Sequence, residues 1–365
     1  MLLLRPFKLK PSFFTGLVHI ALVIILTGAC VTHFFGVQGE VHLRNDKAVT
    51  VSAAHSAVSL FLWDFHIVYD GQTPVDYVSE LRLLDRSAKD RQQKTAIDEG
   101  VVRMNRPLRY HGFRFCQSDY DSDELGVTLR YNYDPWGIGI TYTGYAMLLV
   151  AMLGFFFQSR TRFRVLIRSL ASQKKAIILL SALVVLVVIL AVVMTKVVTP
   201  KPPLQPVLQT PMLGIHVSVI MLAYTLFAIV MVNGILGIYA CIAQKKATGE
   251  RKEKLAAFNL RLTSLSQLLL YPAVFCLTAG IFIGAVWANM SWGRYWGWDP
   301  KETWALITML VYAVLMHWHL IRTRLHIVDN RAQVIYHIFS IAAFVFVLFT
   351  YFGVNMLLGG LHSYQ

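Results

Sequence analysis

Residues 262–293 read L-T-S-L-S-Q-L-L-L-Y-P-A-V-F-C-L-T-A-G-I-F-I-G-A-V-W-A-N-M-S-W-G and contain no Asp, Glu, Lys or Arg. A run of about 20 mostly apolar residues is long enough to cross a bilayer as a helix. Further charge-free runs cover 11–39, 135–159, 176–195, 202–244, 303–321 and 332–365. We therefore predict seven transmembrane helices, with cores at 14–35, 139–158, 176–197, 213–242, 264–288, 304–321 and 334–356.

The composition of the 365-residue chain agrees with a membrane protein. Hydrophobic residues make up 56% of it and charged residues 15%, against about 25% charged in soluble domains, and the mean hydropathy is +0.53. These values exclude a soluble enzyme. The formal net charge of +14 would suit nucleic acid only on a basic folded surface. Because most of the excess positive charge lies in short loops between the predicted spans, we expect no nucleic-acid partner.

The basic loops predict the orientation of the spans. Positive charge concentrates after the second and fourth spans and in 322–331, and such loops favour the cytoplasm. The residues concerned are Arg160, Arg162, Arg164, Arg168, Lys174, Lys175, Lys245, Lys246, Arg251, Lys252, Lys254, Arg261, Arg322, Arg324 and Arg331. The N-terminus is then cytoplasmic, while 36–137, 198–212, 290–303 and the C-terminus lie outside. The first span lacks an A-x-A-like cleavage site and is interpreted as a retained anchor.

The long outer loop alternates apolar and polar residues, as in Val41-His42-Leu43-Arg44 and Val127-Thr128-Leu129-Arg130-Tyr131. A period of two is typical of strands. The predicted fold class is thus an all-α polytopic membrane protein of about seven transmembrane helices, with a small, mostly β extracytoplasmic domain between helices 1 and 2. The four cysteines form no C-x-x-C motif, so we expect neither a disulfide framework nor a thiolate metal site.

An aromatic segment, W-G-R-Y-W-G-W-D-P-K-E-T-W at 292–304, follows the fifth span. Single tryptophans at this depth are usually an interfacial belt, but a belt explains neither the glycines nor D-P-K-E. Asp299 and Pro300 suit the start of a helix, and Glu302 has capping-box spacing from Asp299. The preceding rings, beside Arg294 and Lys301, suggest a flat apolar surface for a large planar anion.

The aromatic segment resembles the WWD signature of haem-handling proteins in cytochrome c biogenesis. The closing F-G-V-N-M-L-L-G-G-L-H-S-Y at 352–364 resembles the end of their CcsA (ResC) branch. L-V-H-I-A-L-V-I-I-L-T-G-A at 17–29 and M-N-R-P-L-R-Y-H-G-F-R-F-C-Q-S at 104–118 resemble the ResB (CcsB) family. The chain is similar to a compact ResB–CcsA fusion, a system II cytochrome c synthase, although such fusions generally have a larger outer domain and more spans.

The resemblance implies a division of the chain. Residues 1–35 would form a ResB-like first span and 36–137 a ResB-like β-rich domain. Residues 138–198 would hold spans two and three with the basic loop, and 199–365 a CcsA-like core with spans four to seven. It also implies the cytoplasmic (inner) membrane of a bacterium, haem b as the cofactor, an apocytochrome c bearing C-x-x-C-H and a thiol-reducing partner.

Histidines supply the expected ligands of haem iron, since neutral imidazole suits that role. His216 and His362 flank the aromatic segment, and the resemblance assigns them as axial ligands at the outer side. His19 and His317 lie at matching depths near the cytoplasmic side, where the resemblance implies a second haem. His337 is an alternative partner for His19. A structural hydrogen-bonding role stays open for His216 and for His362.

Other residues are expected to hold the porphyrin rather than its iron. Trp292, Trp296 and Trp298 would form the platform, and Arg294 and Lys301 would contact the propionates. Asp299, which belongs to the signature, is equally well explained as a helix cap.

The function implied is haem transport across the membrane, presentation on the aromatic segment and covalent attachment to apocytochrome c, as a holocytochrome c synthase. No residue is required as a nucleophile, because positioning supplies the catalysis, so the catalytic residues stay unknown. One alternative is a haem exporter or relay without ligation activity. A quinol-linked b-type cytochrome is less favoured: His33 follows His19 by fourteen residues, but neither the sixth nor the seventh span has a matching histidine pair.

Overall fold

A computed structural model of the chain describes residues 13–53, 56–84, 96–159, 161–171 and 206–358. Nine α-helices are assigned within those ranges, and the predicted third span, 176–197, lies outside them. The helices are α1 (Phe13–Phe35), α2 (Gly137–Phe157), α3 (Arg162–Ala171), α4 (Pro211–Lys246), α5 (Gly249–Ser291), α6 (Pro300–Met316), α7 (Trp318–Arg324), α8 (Asp329–Leu348) and α9 (Val354–Leu357). A 3₁₀ turn covers Pro206–Leu208, and a π-helical turn, Phe349–Gly353, joins α8 to α9.

The helices confirm the predicted membrane class. Five segments of the described chain are long and apolar enough to cross a bilayer, and the pair α6–α7 makes a sixth if it counts as one bent span. They correspond to six of the seven predicted spans. The chain is a multi-pass membrane protein.

The sixth predicted span is broken at His317, where α6 and α7 meet at 56°. The His317 amide donates to the carbonyls of both Ala313 and Val314, and the His317 ring Nδ1 lies 2.7 Å from the Ala313 oxygen. The His317 amide is thus shared between the α-helical and the 3₁₀ hydrogen-bond patterns at the break. After the bend, Trp318 is buried beside Tyr336, with ring centroids 6.2 Å apart.

Small residues and stacked rings pack the helices. Between α1 and α2, a side chain at Gly28 would collide with Thr141, so glycine allows the close approach that membrane helices use. Further along the bundle, Phe227 of α4 stacks on Tyr312 of α6, with ring centroids 3.6 Å apart. Both rings are fully buried.

The segment between α1 and α2 forms the predicted β domain. Its strands are β1 (Val37–Arg44), β2 (Val49–Ala53), β3 (Ser56–Asp70), β4 (Thr73–Leu84), β5 (Ala96–Arg103), β6 (Leu108–Tyr110), β7 (Phe113–Tyr120) and β8 (Gly126–Tyr133). They make two antiparallel sheets, ordered β1-β8-β7-β6 and β2-β3-β4-β5. Alternate side chains such as Leu43, Leu60, Leu81 and Phe115 form one buried core, as the period of two requires.

The β domain lies at the end of the bundle where α5 ends and α6 begins. The Asn132 side chain donates to the Gly293 carbonyl over 2.7 Å, and the Asn105 side chain donates to the Val207 carbonyl over 3.1 Å. The β domain and the segments that contain Val207 and Gly293, all predicted to lie outside the membrane, are therefore at the same end of the bundle. Lys245 and Lys246 close α4 at its other terminus, so the bundle has a β-domain end and a basic end.

Candidate functional site

A cavity of about 490 Å³ opens at the β-domain end of the bundle. It lies between α4, α5, the aromatic segment, the start of α6 and residues 350–356. Its lining is mostly apolar, and the chemically distinctive members are His216, Trp287, Trp296, Lys301, Tyr351 and Asn355. Residues from both ends of the CcsA-like sequence thus meet in one space, which we call the outer cavity.

His216 is held in the outer cavity by a bond from its ring to another helix. Its Nδ1 lies 2.7 Å from the carbonyl oxygen of Gly280 on α5. Because a carbonyl only accepts, Nδ1 carries the hydrogen and the ring's lone pair is on Nε2. A Cβ added at Gly284 would lie 2.6 Å from the His216 ring. Glycine at that position gives the imidazole its room.

The tryptophans of the aromatic segment do not share one surface. Trp296 lines the outer cavity, whereas Trp292 and Trp298 are not among the described lining residues. Trp292 packs edge-on against Trp287 with centroids 5.0 Å apart, and Trp298 lies perpendicular to Trp296 at 6.0 Å with 75% of its surface exposed. The predicted platform therefore has one of its three members in the cavity.

Trp287 is the cavity tryptophan that sequence reasoning missed. It is buried in α5, and its indole Nε1 has no hydrogen-bond partner in the described part of the chain. The sequence feature that could have identified Trp287 is its position near the end of the span, five residues before Trp292.

The two predicted cations are placed differently. Lys301 lines the outer cavity, and its Nζ donates to the side-chain oxygen of Asn355 over 3.0 Å. Arg294 is not among the described lining residues, and its guanidinium packs on Gly297, where an added Cβ would lie 3.2 Å from Arg294 Nε. Lys301 is thus the cation that the structure brings to His216.

Asp299 is a helix cap, as one of its two interpretations predicted. Its buried carboxylate accepts from the backbone N–H of Lys301 over 2.8 Å at the first turn of α6. Glu302 accepts from the N–H of Gly297 over 2.8 Å, while Trp298 between them adopts a left-handed φ of 55°. These two carboxylates fix the turn that places Lys301.

The first half of the aromatic segment is attached to the β domain and α1. The Tyr295 hydroxyl lies 2.9 Å from Thr32 Oγ1 and 3.3 Å from an Asp134 oxygen, and Thr32 donates to Asp134 over 2.6 Å. Burial is the main cause that raises the pKa of Tyr295 to about 12. Sequence reasoning missed this polar junction, whose partners are far apart in the chain.

Cys116 of the β domain lies at the same junction. Its sulfur is 3.9 Å from the Met290 carbonyl oxygen, and an added Cβ at Gly293 would lie 3.3 Å from it. Burial raises the pKa of the Cys116 thiol to about 11, so at neutral pH it is a protonated packing residue.

His362, the predicted second outer ligand, lies outside the described residues. The last described part of the chain does reach the outer cavity, because Asn355 and Met356 line it. His362 follows Asn355 by seven residues in the sequence.

The other two candidate ligands meet between α1 and α6. The rings of His19 and His317 have centroids 6.3 Å apart and planes at 72°. His19 Nδ1 lies 2.7 Å from the Thr15 carbonyl oxygen, as His317 Nδ1 does from that of Ala313. Both lone pairs are therefore on Nε2. We call these two residues the inner pair.

His337, the alternative partner of His19, has a different environment. It is fully buried against Gly237 of α4, and its Nε2 lies 2.7 Å from the side-chain oxygen of Asn259. The Nε2 atom of His337 is thus engaged in a hydrogen bond, while its Nδ1 has no hydrogen-bond partner among the described residues. The described ring contact of His19 is with His317.

Among the described residues, no group of three or more His, Cys, Asp or Glu side chains is arranged to hold a metal ion. The candidate ligands come as a single histidine in a cavity and as a pair.

Comparisons with known proteins divide the chain at the start of α2. The family described as Cytochrome C assembly protein matches residues 139–362, more than half of the chain, and the ResB-like family matches residues 14–133.

Curated relatives match part of the chain. Protein NrfI of Wolinella succinogenes is 39% identical over 161 residues, which cover 44% of this chain and 17% of NrfI. Cytochrome c biogenesis protein CcsA of Chlamydomonas reinhardtii is 41% identical over 162 residues, 44% of this chain and 43% of that protein. CcsA of Guillardia theta is 39% identical over 177 residues, 44% of this chain and 56% of that protein. The matched region thus spans well under two thirds of each relative. The chain belongs to the cytochrome c assembly protein family, as a ResB-like part followed by a CcsA-like part.

Proposed function

We propose that this protein binds haem in the outer cavity and presents it for covalent attachment to an apocytochrome c. The observation that carries the proposal is His216, whose Nδ1 is committed to the Gly280 carbonyl inside a cavity that also holds Trp296 and Lys301. Fixing one ring nitrogen to a carbonyl orients the other for a metal, which is the usual arrangement of a ligating histidine.

The cavity fits such a ligand in size and chemistry. Its volume of about 490 Å³ lies within the range of small-molecule sites. Its mostly apolar wall suits a porphyrin, and Lys301 suits a carboxylate. The buried Nε1 of Trp287, which lacks a protein partner among the described residues, is a donor that a bound acceptor would satisfy.

His362 is proposed to hold this haem together with His216. The preceding segment enters the cavity at Asn355, whose side chain accepts from Lys301. The two histidines that would hold the haem then come from different parts of the chain.

The inner pair is proposed to hold haem before it reaches the outer cavity. The ring centroids of His19 and His317 lie 6.3 Å apart, so both imidazoles would be near enough to hold one haem. Both Nδ1 atoms bond carbonyls, so Nε2 of each ring would carry the lone pair that binds iron. We propose that the basic end faces the cytoplasm of a bacterium and that haem enters there.

Attachment requires no nucleophile from this chain. A thioether forms when a cysteine thiol of the apocytochrome C-x-x-C-H adds across a haem vinyl group, the sulfur bonding one carbon and the proton going to the other. The protein's contribution is to hold haem and peptide together, which makes a bimolecular step effectively unimolecular. A thiol-reducing partner would keep the peptide cysteines able to react.

Maturation in a host without its own cytochrome c assembly system tests the proposal. The full chain should yield cytochrome with covalent haem, and His216→Ala or His362→Ala should abolish it, with partial rescue by added imidazole. His66→Ala is the matched control, because the His66 side chain is exposed on strand β3 of the β domain. Haem bound to the protein without any covalent product would favour a relay, and full activity of His216→Ala would refute the ligand assignment.

A further inference from the structure

A second, smaller cavity of about 120 Å³ lies at the basic end of the bundle, between α3, α5, α7 and α8. It is separate from the outer cavity, and neither His19 nor His317 is among its described lining residues. Its charged or titratable members are Arg162, His319 and Arg322, and no acidic residue is among the described lining residues.

Arg162 is fixed toward this cavity by the neighbouring helix. Its Nη2 donates to the side-chain oxygen of Gln267 on α5 over 2.8 Å. Arg162 and Arg322 both lie within electrostatic range of the His319 ring. Two guanidinium groups from different helices thus bring positive potential to one small space, where the hydroxyls of Thr263 and Ser264 add hydrogen-bonding capacity.

The surroundings of the cavity are apolar. Leu260 lines the cavity and is 58% exposed. Val165 and Leu320, each adjacent in sequence to a lining residue, are 55% and 60% exposed. Trp318 forms part of the wall. Exposed aliphatic side chains beside a basic, hydroxyl-lined space suit a molecule with an anionic group joined to hydrocarbon.

We propose that this cavity binds the phosphate of an anionic phospholipid headgroup, with the acyl chains lying along the exposed aliphatic surface. Basic pockets between transmembrane helices bind such headgroups, and arginine forks match phosphate oxygens. The volume is well below that of cavities for larger organic ligands, so it accommodates a headgroup and excludes a porphyrin.

Native mass spectrometry of the full chain from vesicles of phosphatidylcholine with phosphatidylglycerol tests this site. The wild-type chain should retain phosphatidylglycerol selectively. Arg162→Gln with Arg322→Gln should lower its retention by about tenfold or more, since each basic residue contributes roughly a fivefold gain. Lys245→Gln with Lys246→Gln, at the same end but outside the cavity, is the matched control and should retain the lipid as wild type does.

Three results would overturn the proposal. One is equal loss of lipid in both double variants, which would show unspecific attraction to the basic end. Another is unchanged retention in the arginine variant. The third is displacement of the lipid by millimolar inorganic phosphate, which would show a free-anion site. If the double variant does not fold, Arg322→Gln alone keeps the Arg162–Gln267 bond and should still lower retention.

Discussion

The outer cavity and the inner pair use the same imidazole chemistry but different supports. His216 bonds a carbonyl on another helix, 64 residues away, whereas His19 and His317 each bond a carbonyl four residues back in their own helix. The direction of the outer ring therefore depends on how α4 packs on α5. The directions of the inner rings are set locally, and helix packing decides only the distance between them. The comparison predicts that the outer site is the more sensitive of the two to changes in packing.

Gly284→Ala should have the largest effect, because it tests this dependence directly. The added methyl group would lie 2.6 Å from the His216 ring and would displace it. We expect haem bound at the outer cavity to fall by about 10- to 100-fold, the range seen when the support of a ligand is lost. The measurement is the Soret band and the pyridine haemochrome of the purified protein.

Gly214→Ala is the control for this substitution, since its Cβ would meet nothing within 4 Å. Equal haem content in the two variants would mean that the position of His216 is not set by packing against α5.

Replacement of an inner ligand should have the next largest effect. His19→Ala or His317→Ala removes one side of the inner pair, so haem reaching the outer cavity should fall by about tenfold. The readout is haem content together with holocytochrome yield. His33→Ala in the same helix as His19 should behave as wild type because His33 is exposed and contacts Phe34. Wild-type loading in both ligand variants would rule out this route.

Thr32→Val tests the attachment of the outer site to the β domain. The substitution keeps the shape but removes the bonds to Asp134 and Tyr295, and should lower the free energy of unfolding by about 1–3 kcal/mol. Haem at the outer cavity should decrease more than haem at the inner pair. Chemical unfolding in detergent measures the free energy of unfolding.

Thr27→Val is the control for Thr32→Val, because Thr27 bonds the carbonyl of Val23 in its own helix. A loss of stability in Thr27→Val as large as in Thr32→Val would show that the bonds of Thr32 to Asp134 and Tyr295 stabilise the protein no more than a bond within one helix does.

Cys116 gives the smallest predicted effect and tests how tightly the junction is closed. Its pKa is raised from 9.0 to about 11 by burial, so the folded protein holds the thiol protonated. The associated stability is fully present below pH 9 and is lost as the pH rises toward 11. Iodoacetamide at pH 8 should label Cys116 only after unfolding in detergent, as mass spectrometry would show. Rapid labelling of the folded protein would contradict a closed junction.

Sequence reasoning was most successful where the signal is local. Charge-free runs predicted six spans that the structure describes, because charged residues are costly to bury in a bilayer and transmembrane segments therefore contain few of them. The cap at Asp299 was likewise predicted, since a cap bonds the chain two residues away. The alternation of apolar and polar residues predicted the strands of the β domain, because that alternation is also a local pattern.

The bend at His317 and the junction at Tyr295 escaped prediction. The residues around His317 include neither Pro nor Gly, and the ring–carbonyl bond of His317 does not explain the bend, because His19 makes the same bond inside the continuous helix α1. Thr32 and Tyr295 are 263 residues apart, so no local pattern connects them. Trp298 stays a predicted platform residue, and spacing alone does not show that its indole is 75% exposed and perpendicular to Trp296.

The π-helical turn at Phe349–Gly353 sets the phase of everything that follows it. If these five residues wound as an α-helix instead, the helix after them would rotate by about 100°, the share of one residue. Asn355 would then swing away from Lys301, to which its side chain is now hydrogen-bonded. The bond between Lys301 and Asn355 therefore depends on the width of this turn, and a family member lacking one residue here would close an α turn and keep the same phase.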